Sequence, residues 1–154
     1  MTMEQEESRV VSASREIATA PGPIFELIAD PAQQPRWDGN DNLSVAEGGQ
    51  RVHRAGDVFS MTLTTGAIRE NHVTEFEEDR LIAWMPAEPG RRRPGHVWRW
   101  ELEPLGPALT RVTCTYDWTE LTDRNRLPRA RATTADKLQA SLDRLAAVVG
   151  RYGQ

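Results

Sequence analysis

Cysteine, lysine and long apolar runs are what this 154-residue chain has least of, and each shortage excludes something. A lone Cys114 has no partner for an internal disulfide and no companion thiolates for a structural zinc site, so it is expected as a small buried hydrophobe in a strand. No apolar stretch exceeds five residues, as at Leu145–Val149, far below the ~18 that a membrane-spanning helix needs. The opening Met-Thr-Met-Glu-Gln-Glu-Glu lacks a basic stretch followed by an apolar one, so a soluble, cytoplasmic chain without stable membrane insertion is the expectation. Lys137 is the sole lysine, and arginine supplies the other 18 of 19 basic residues. Against 23 acidic residues they leave a net charge of -4 and a pI near 5.4, which argues against a nucleic-acid partner.

Catalytic and cofactor signatures are also missing: no Gly-x-Ser-x-Gly elbow, no His-Glu-x-x-His, no phosphate-binding or dinucleotide glycine loop. His53, His72 and His96 lie far apart without metal-ligand spacing, so no metal and no cofactor is expected. Arg91, Arg92 and Arg93, between Pro89-Gly90 and Pro94-Gly95, read as a solvated hairpin tip. Glu77-Glu78-Asp79 likewise reads as a turn.

What is present fits one domain. A chain of this length with 38% hydrophobic residues can bury one core, and the reading divides it into a flexible leader (1–8), a domain (9–150) and a tail (151–154). Alternation from Val10 to Ala18 predicts a first strand. Pro21 and Pro23 suit the first turn of a short helix with Ile24, Phe25 and Ile28 on one face, and a second short helix ends at Trp37. Period-two runs at 58–65, 68–76, 81–85, 96–102 and 110–118, separated by turn residues, predict an antiparallel meander. The last element has Thr133 or Thr134 as N-cap and Leu138, Leu142, Leu145 and Val149 on one stripe ending at Gly150. The class is α+β: a curved sheet of six or seven strands wrapped around a long carboxyl-terminal helix, which leaves room for a hollow.

Strand parity names the inward side chains. Trp98, Trp100 and Leu102 oppose Arg99, Glu101 and Glu103; Val112, Cys114, Tyr116 and Trp118 oppose Arg111, Thr113, Thr115 and Asp117; Phe59, Met61 and Leu63 oppose Ser60, Thr62 and Thr64. The strand 68–76 is divided, since His72, Thr74 and Phe76 share one parity and Val73 the other; His72 is placed inward. So many indoles on one face either enclose an apolar pocket or simply fill the core.

The order and spacing of several segments resemble the START-like, helix-grip (SRPBCC) superfamily in its polyketide cyclase/dehydrase and lipid-transport branch. They are the first strand running into Pro21–Pro31, Pro35-Arg36-Trp37, Val73–Phe76 with Arg80–Trp84, Trp98–Pro104, Thr110–Thr113 and the final Leu-rich helix. The resemblance implies a cavity between sheet and helix that takes a small hydrophobic, lipid-like or polyketide-like ligand, in a monomer or homodimer. Parity and resemblance together give the cavity set Trp37, Phe59, Met61, His72, Trp84, Trp98, Trp100, Tyr116, Trp118, Leu138 and Leu142. An enzyme of the cyclase/dehydrase type is the alternative, with His72 and Tyr116 as catalytic candidates and Arg69 as an anion partner if the strand register shifts. A protein-interaction module is the third class. Opening is expected at the 37–50 loop or the 121–132 connection, whose Arg124, Arg126, Arg129 and Arg131 either meet an acidic head group or solvate the loop.

Overall fold

The computed structural model describes residues 8–152; of the expected leader (1–8) all but Ser8 lies outside them, and of the expected tail (151–154) residues 153–154 do, while 151–152 continue the last helix. Strand β1 (Val10–Ile17) is followed by α1 (Pro21–Ala29), a 3-10 turn (Pro31–Gln33) and α2 (Gln34–Trp37). Strands β2 (Leu43–Val45), β3 (Val58–Leu63), β4 (Ile68–Glu77), β5 (Leu81–Ala87), β6 (Val97–Gly106) and β7 (Leu109–Asp117) come next. A second 3-10 turn (Arg124–Arg126), α3 (Leu127–Ala132) and α4 (Ala135–Tyr152) complete the chain. The strands form one antiparallel sheet in the order β1-β7-β6-β5-β4-β3-β2. This is the expected α+β helix-grip architecture, at seven strands. Helix α4 continues to Tyr152, so Gly150 is inside it and does not cap it.

Two features of this order position everything else. First, β1 and β2 lie on opposite edges of the sheet, so the connection between them must cross its full width, and it carries α1 and α2 with it. Second, seven strands about 4.8 Å apart span about 29 Å, whereas a helix with its side chains is about 10–12 Å wide. Helix α4 packs on β1, β7 and the two short helices, burying Leu138, Leu142, Leu145, Val148 and Val149. It therefore covers one flank of the sheet, and toward the other edge the cover comes from α1, the first 3-10 turn and α2, together with the large side chains of the strands themselves.

A bulge resolves the divided parity of β4. Val73 pairs with Trp84, but the next pair is Glu75 with Ala83, so Thr74 is the extra residue. Before the bulge Arg69, Asn71 and Val73 face inward; after it Phe76 does, meeting Phe25 edge-on at 5.7 Å. His72 pairs with the exposed Val58 and with Met85, on the outer face. Its inward placement is therefore corrected. Cys114 is buried among these strands, paired with Ala13 and Trp100, and desolvation raises its thiol pKa. The Arg91–Arg93 tip is exposed.

The segment after α2 is tied to α4. The Asp38 carboxylate accepts from the backbone N–H groups of Asn40 (3.1 Å), Asn42 (2.7 Å) and Leu43 (2.8 Å). Gly39 N–H donates to Ser141 Oγ (3.1 Å), Asn40 Nδ2 to the Lys137 carbonyl (3.0 Å) and Arg144 to the Asp38 carbonyl (3.0 Å). Gly39 must be glycine here, because a Cβ would sit 2.5 Å from the Ala140 carbonyl carbon and 2.7 Å from the Ser141 nitrogen. Gly39→Ala is expected to cost about 1–3 kcal/mol by forcing the loop off the helix, whereas Gly48→Ala, with nothing within 4 Å, costs little. Urea unfolding of both variants measures the difference; equal midpoints would contradict the close approach.

Candidate functional site

A cavity of about 170 Å³ lies between the concave face of the sheet, α2 and its following loop, and the start of α4. The sheet supplies most of its wall: Met61 and Leu63 from β3, Arg69 and Asn71 from β4, Trp84 and Pro86 from β5, Trp98 and Trp100 from β6, and Tyr116 from β7. Trp37 with Gln34 and Asp38 closes one side, and Arg126, Arg129, Thr133 and Ser141 another. Asn42 and Arg129 are exposed lining residues, so solvent reaches the cavity beside them.

Ring packing sets the shape. Trp98 stands on Tyr116 at 4.6 Å, Trp37 meets Trp100 edge-on at 5.0 Å, and Phe59 braces Trp84 from behind at 5.4 Å. The Trp37 indole N–H donates to the Leu27 carbonyl at 2.7 Å, and the Gln34 amide to that of Ile28 at 3.0 Å. These bonds hold the lid of the cavity on α1.

Six of the eleven expected cavity residues do line it: Trp37, Met61, Trp84, Trp98, Trp100 and Tyr116. The other five do not. Phe59 lies behind Trp84. Leu138 and Leu142 are fully buried in the core, and α4 presents Ser141 to the cavity in place of its leucines. Trp118 is 2% exposed, beyond the end of β7, with the Arg9 guanidinium 4.7 Å from its ring centroid. His72 is on the opposite face of the sheet.

The histidine in the wall is His96, 5.9 Å from the Tyr116 ring. Parity could have found it, since 96 matches Trp98 and Trp100. Arg69 also faces inward, without any register shift. Of the four arginines in the 121–132 connection, Arg126 and Arg129 line the cavity, whereas Arg124 and Arg131 are exposed and do not. Asn71, Asp38 and Ser141 had no sequence signal of their own.

The electrostatics are one-sided. Burial, followed by the charges of Arg126, Arg69 and Arg129, pushes the His96 pKa down to about 4, so its ring is neutral at pH 7. The Tyr116 hydroxyl is raised by burial, partly offset by the charges of Arg129 and Arg126 and a hydrogen bond with Thr133. Two buried polar atoms of the wall, His96 Nδ1 and Trp100 Nε1, have no hydrogen-bond partner among the described residues, and each costs about 1–3 kcal/mol unless something satisfies it. Among the described residues no cluster of His, Cys, Asp and Glu is placed to hold a metal ion, and no helix is long and apolar enough to cross a membrane.

A curved antiparallel sheet closed by a long terminal helix, with an aromatic-walled hollow on its concave face, defines a helix-grip cavity domain. Residues 8–150 match the family described as polyketide cyclase / dehydrase and lipid transport, and the chain belongs to it. It is similar to the uncharacterized protein Rv0088 of Mycobacterium tuberculosis, with 32% identity over 114 residues that cover 70% of this chain and 47% of that protein. The chain thus spans about half the length of the curated relatives it matches. A START superfamily protein from Mycobacterium smegmatis has the same fold (TM-score 0.68, 18% identity, 94% of this chain and 99% of that one). So does the Aha1 dimer from Colwellia psychrerythraea (TM-score 0.59, 19% identity, 89% and 96%).

The His96 shift has a signed consequence. The unfolded chain takes up a proton near the ordinary value of 6.5 while the folded chain resists until about 4. Stability contributed by neutral His96 is therefore complete above pH 6.5 and falls as pH drops toward 4, by about 2–3 kcal/mol. Denaturant melts at pH 7 and pH 4.5 should show this loss in the native chain and a smaller one in His96→Gln. Identical losses in the two would refute the burial assignment.

Proposed function

We propose that this domain binds a small apolar or aromatic molecule in the cavity between the concave sheet face and α2–α4. The observation that carries the reading is the wall itself: four of the five tryptophans and Tyr116 border one hollow, with polar side chains at defined points around them. A core built only for stability gains nothing from leaving polar atoms of His96 and Trp100 unpaired. A ligand acceptor at the Trp100 N–H, which only donates, would recover that cost. The family description supports the same class of ligand.

Size narrows the class. A cavity of about 150 Å³ holds a benzene-sized guest, and drug-sized ligands take about 300–1,000 Å³. At about 170 Å³ the hollow suits a compact ring system better than an extended acyl chain.

A second reading, proton-moving catalysis of the cyclase or dehydratase type, draws on the adjacency of His96 and Tyr116. Their protonation states count against it. A base at about 4 rarely holds a proton at pH 7, a phenol raised by burial gives one up reluctantly, and proton transfer is best served by groups near the working pH.

Intrinsic tryptophan fluorescence excited at 295 nm reports the cavity directly. Titration with small aromatic compounds should give a saturable change, and Leu63→Phe, which adds bulk to the wall, should weaken it about tenfold or more. A native chain that melts cooperatively yet responds to no compound, or a Leu63→Phe variant that binds as well, would reject the cavity reading.

A further inference from the structure

Three guanidinium groups from separate segments line this one cavity: Arg69 of β4, Arg126 at the end of the second 3-10 turn, and Arg129 of α3. Arg126 is held by Glu88 (3.3 Å) and Asp123 (3.5 Å). Among the described residues neither Arg69 nor Arg129 has a carboxylate within ion-pair distance, and the Arg69 guanidinium donates only to the neighbouring Ile68 carbonyl at 3.2 Å. The Asp38 carboxylate, also in the wall, is committed to three backbone N–H groups. Glu88 acts on Arg69 at longer range, but burial and the charges of Arg126 and Arg129 outweigh it and lower the Arg69 pKa. Unopposed cations in a partly desolvated cluster repel one another. Neutral His96 adds no fourth charge, and among the described residues the wall holds no carboxylate besides the committed Asp38.

We infer that the ligand is a compact aromatic acid, its ring against Trp84, Trp98 and Tyr116 and its carboxylate held by Arg69, Arg126 and Arg129. The inference rests on reading the cavity as a ligand site. Arginine forks match a planar carboxylate in paired hydrogen bonds, and ring faces suit an aryl body in a space little larger than benzene needs. Arg129, an exposed residue of the cavity wall, places the acid end where solvent enters, so the ring can go in first. Because this end is open to water, added salt weakens the attraction.

The test is isothermal titration calorimetry of the full chain with 4-methoxybenzoate and its uncharged isostere 4-methoxybenzamide, with phenyl phosphate and dodecanoate as further arms. The acid should bind at least about tenfold more tightly than the amide, with an advantage that shrinks in high salt, and Arg129→Gln or Arg69→Gln should remove about that factor for the acid alone. Arg129 is exposed, so its variant is expected to fold, and the acid–amide comparison needs no variant at all. Equal binding of acid and amide, unaltered in both variants, would overturn the anion assignment while leaving the cavity reading standing. Binding of none of the four compounds by a cooperatively melting chain would overturn both. Phenyl phosphate bound in preference to the carboxylate would overturn the choice of a carboxylic acid, and dodecanoate bound as tightly as the aryl acid would overturn the compact body.

Discussion

The mismatch between a seven-stranded sheet and the single long helix available to cover it governs this molecule. Helix α4 pairs its leucine stripe with β1 and β7, and hydrophobic burial there anchors the fold. The rest of the concave face must be covered without a second long helix. The chain does this with α1 and α2, laid across the sheet by the edge-to-edge β1–β2 connection, and with wide side chains on β3 to β7. The rings meet edge to face, as aromatic pairs prefer, and the cavity lies between them and α2.

Polar groups then define what that space is. Asp38 spends its carboxylate on the turn that follows α2, and Gly39 lets that turn touch the backbone of α4. The rim is therefore pinned on the α2 side, although the sequence marks the whole 37–50 segment as a loop. On the other side, arginines of β4 and of the segment before α4 meet. Arg51 shows how the chain treats an arginine it uses for structure: it bonds Glu26 at 2.9 Å and Glu78 at 2.5 Å, which outweighs burial and raises its pKa. Among the described residues Arg69 and Arg129 lack such partners, and the contrast within one chain sets them apart from structural arginines.

Strand parity was a good guide where the strands are regular. It placed Met61, Trp98, Trp100 and Tyr116 on the cavity side because an unbroken β-strand turns alternate side chains to one face. It failed on β4 because a bulge at Thr74 changes the phase, and two inward residues on either side of it, Val73 and Phe76, then give conflicting parities. Within that conflict His72 lies outside, whereas His96, in phase with Trp98 and Trp100, lies inside. Trp118, Leu138 and Leu142 have the right parity or stripe but the wrong depth, which depends on what stands in front of them.

The order of elements, the antiparallel meander, the leucine face of the last helix and the family were all written in local patterns, because each depends on residues close in sequence. Which aromatic residues border the hollow, which arginines join them, and how large the space is were decided only when distant segments came together. Residues 34–42, 69–71, 96–100 and 126–141 meet around one cavity, and no spacing along the chain encodes that meeting. It follows from the bulge, the crossing connection and the limited width of one helix, all of which act across the sheet.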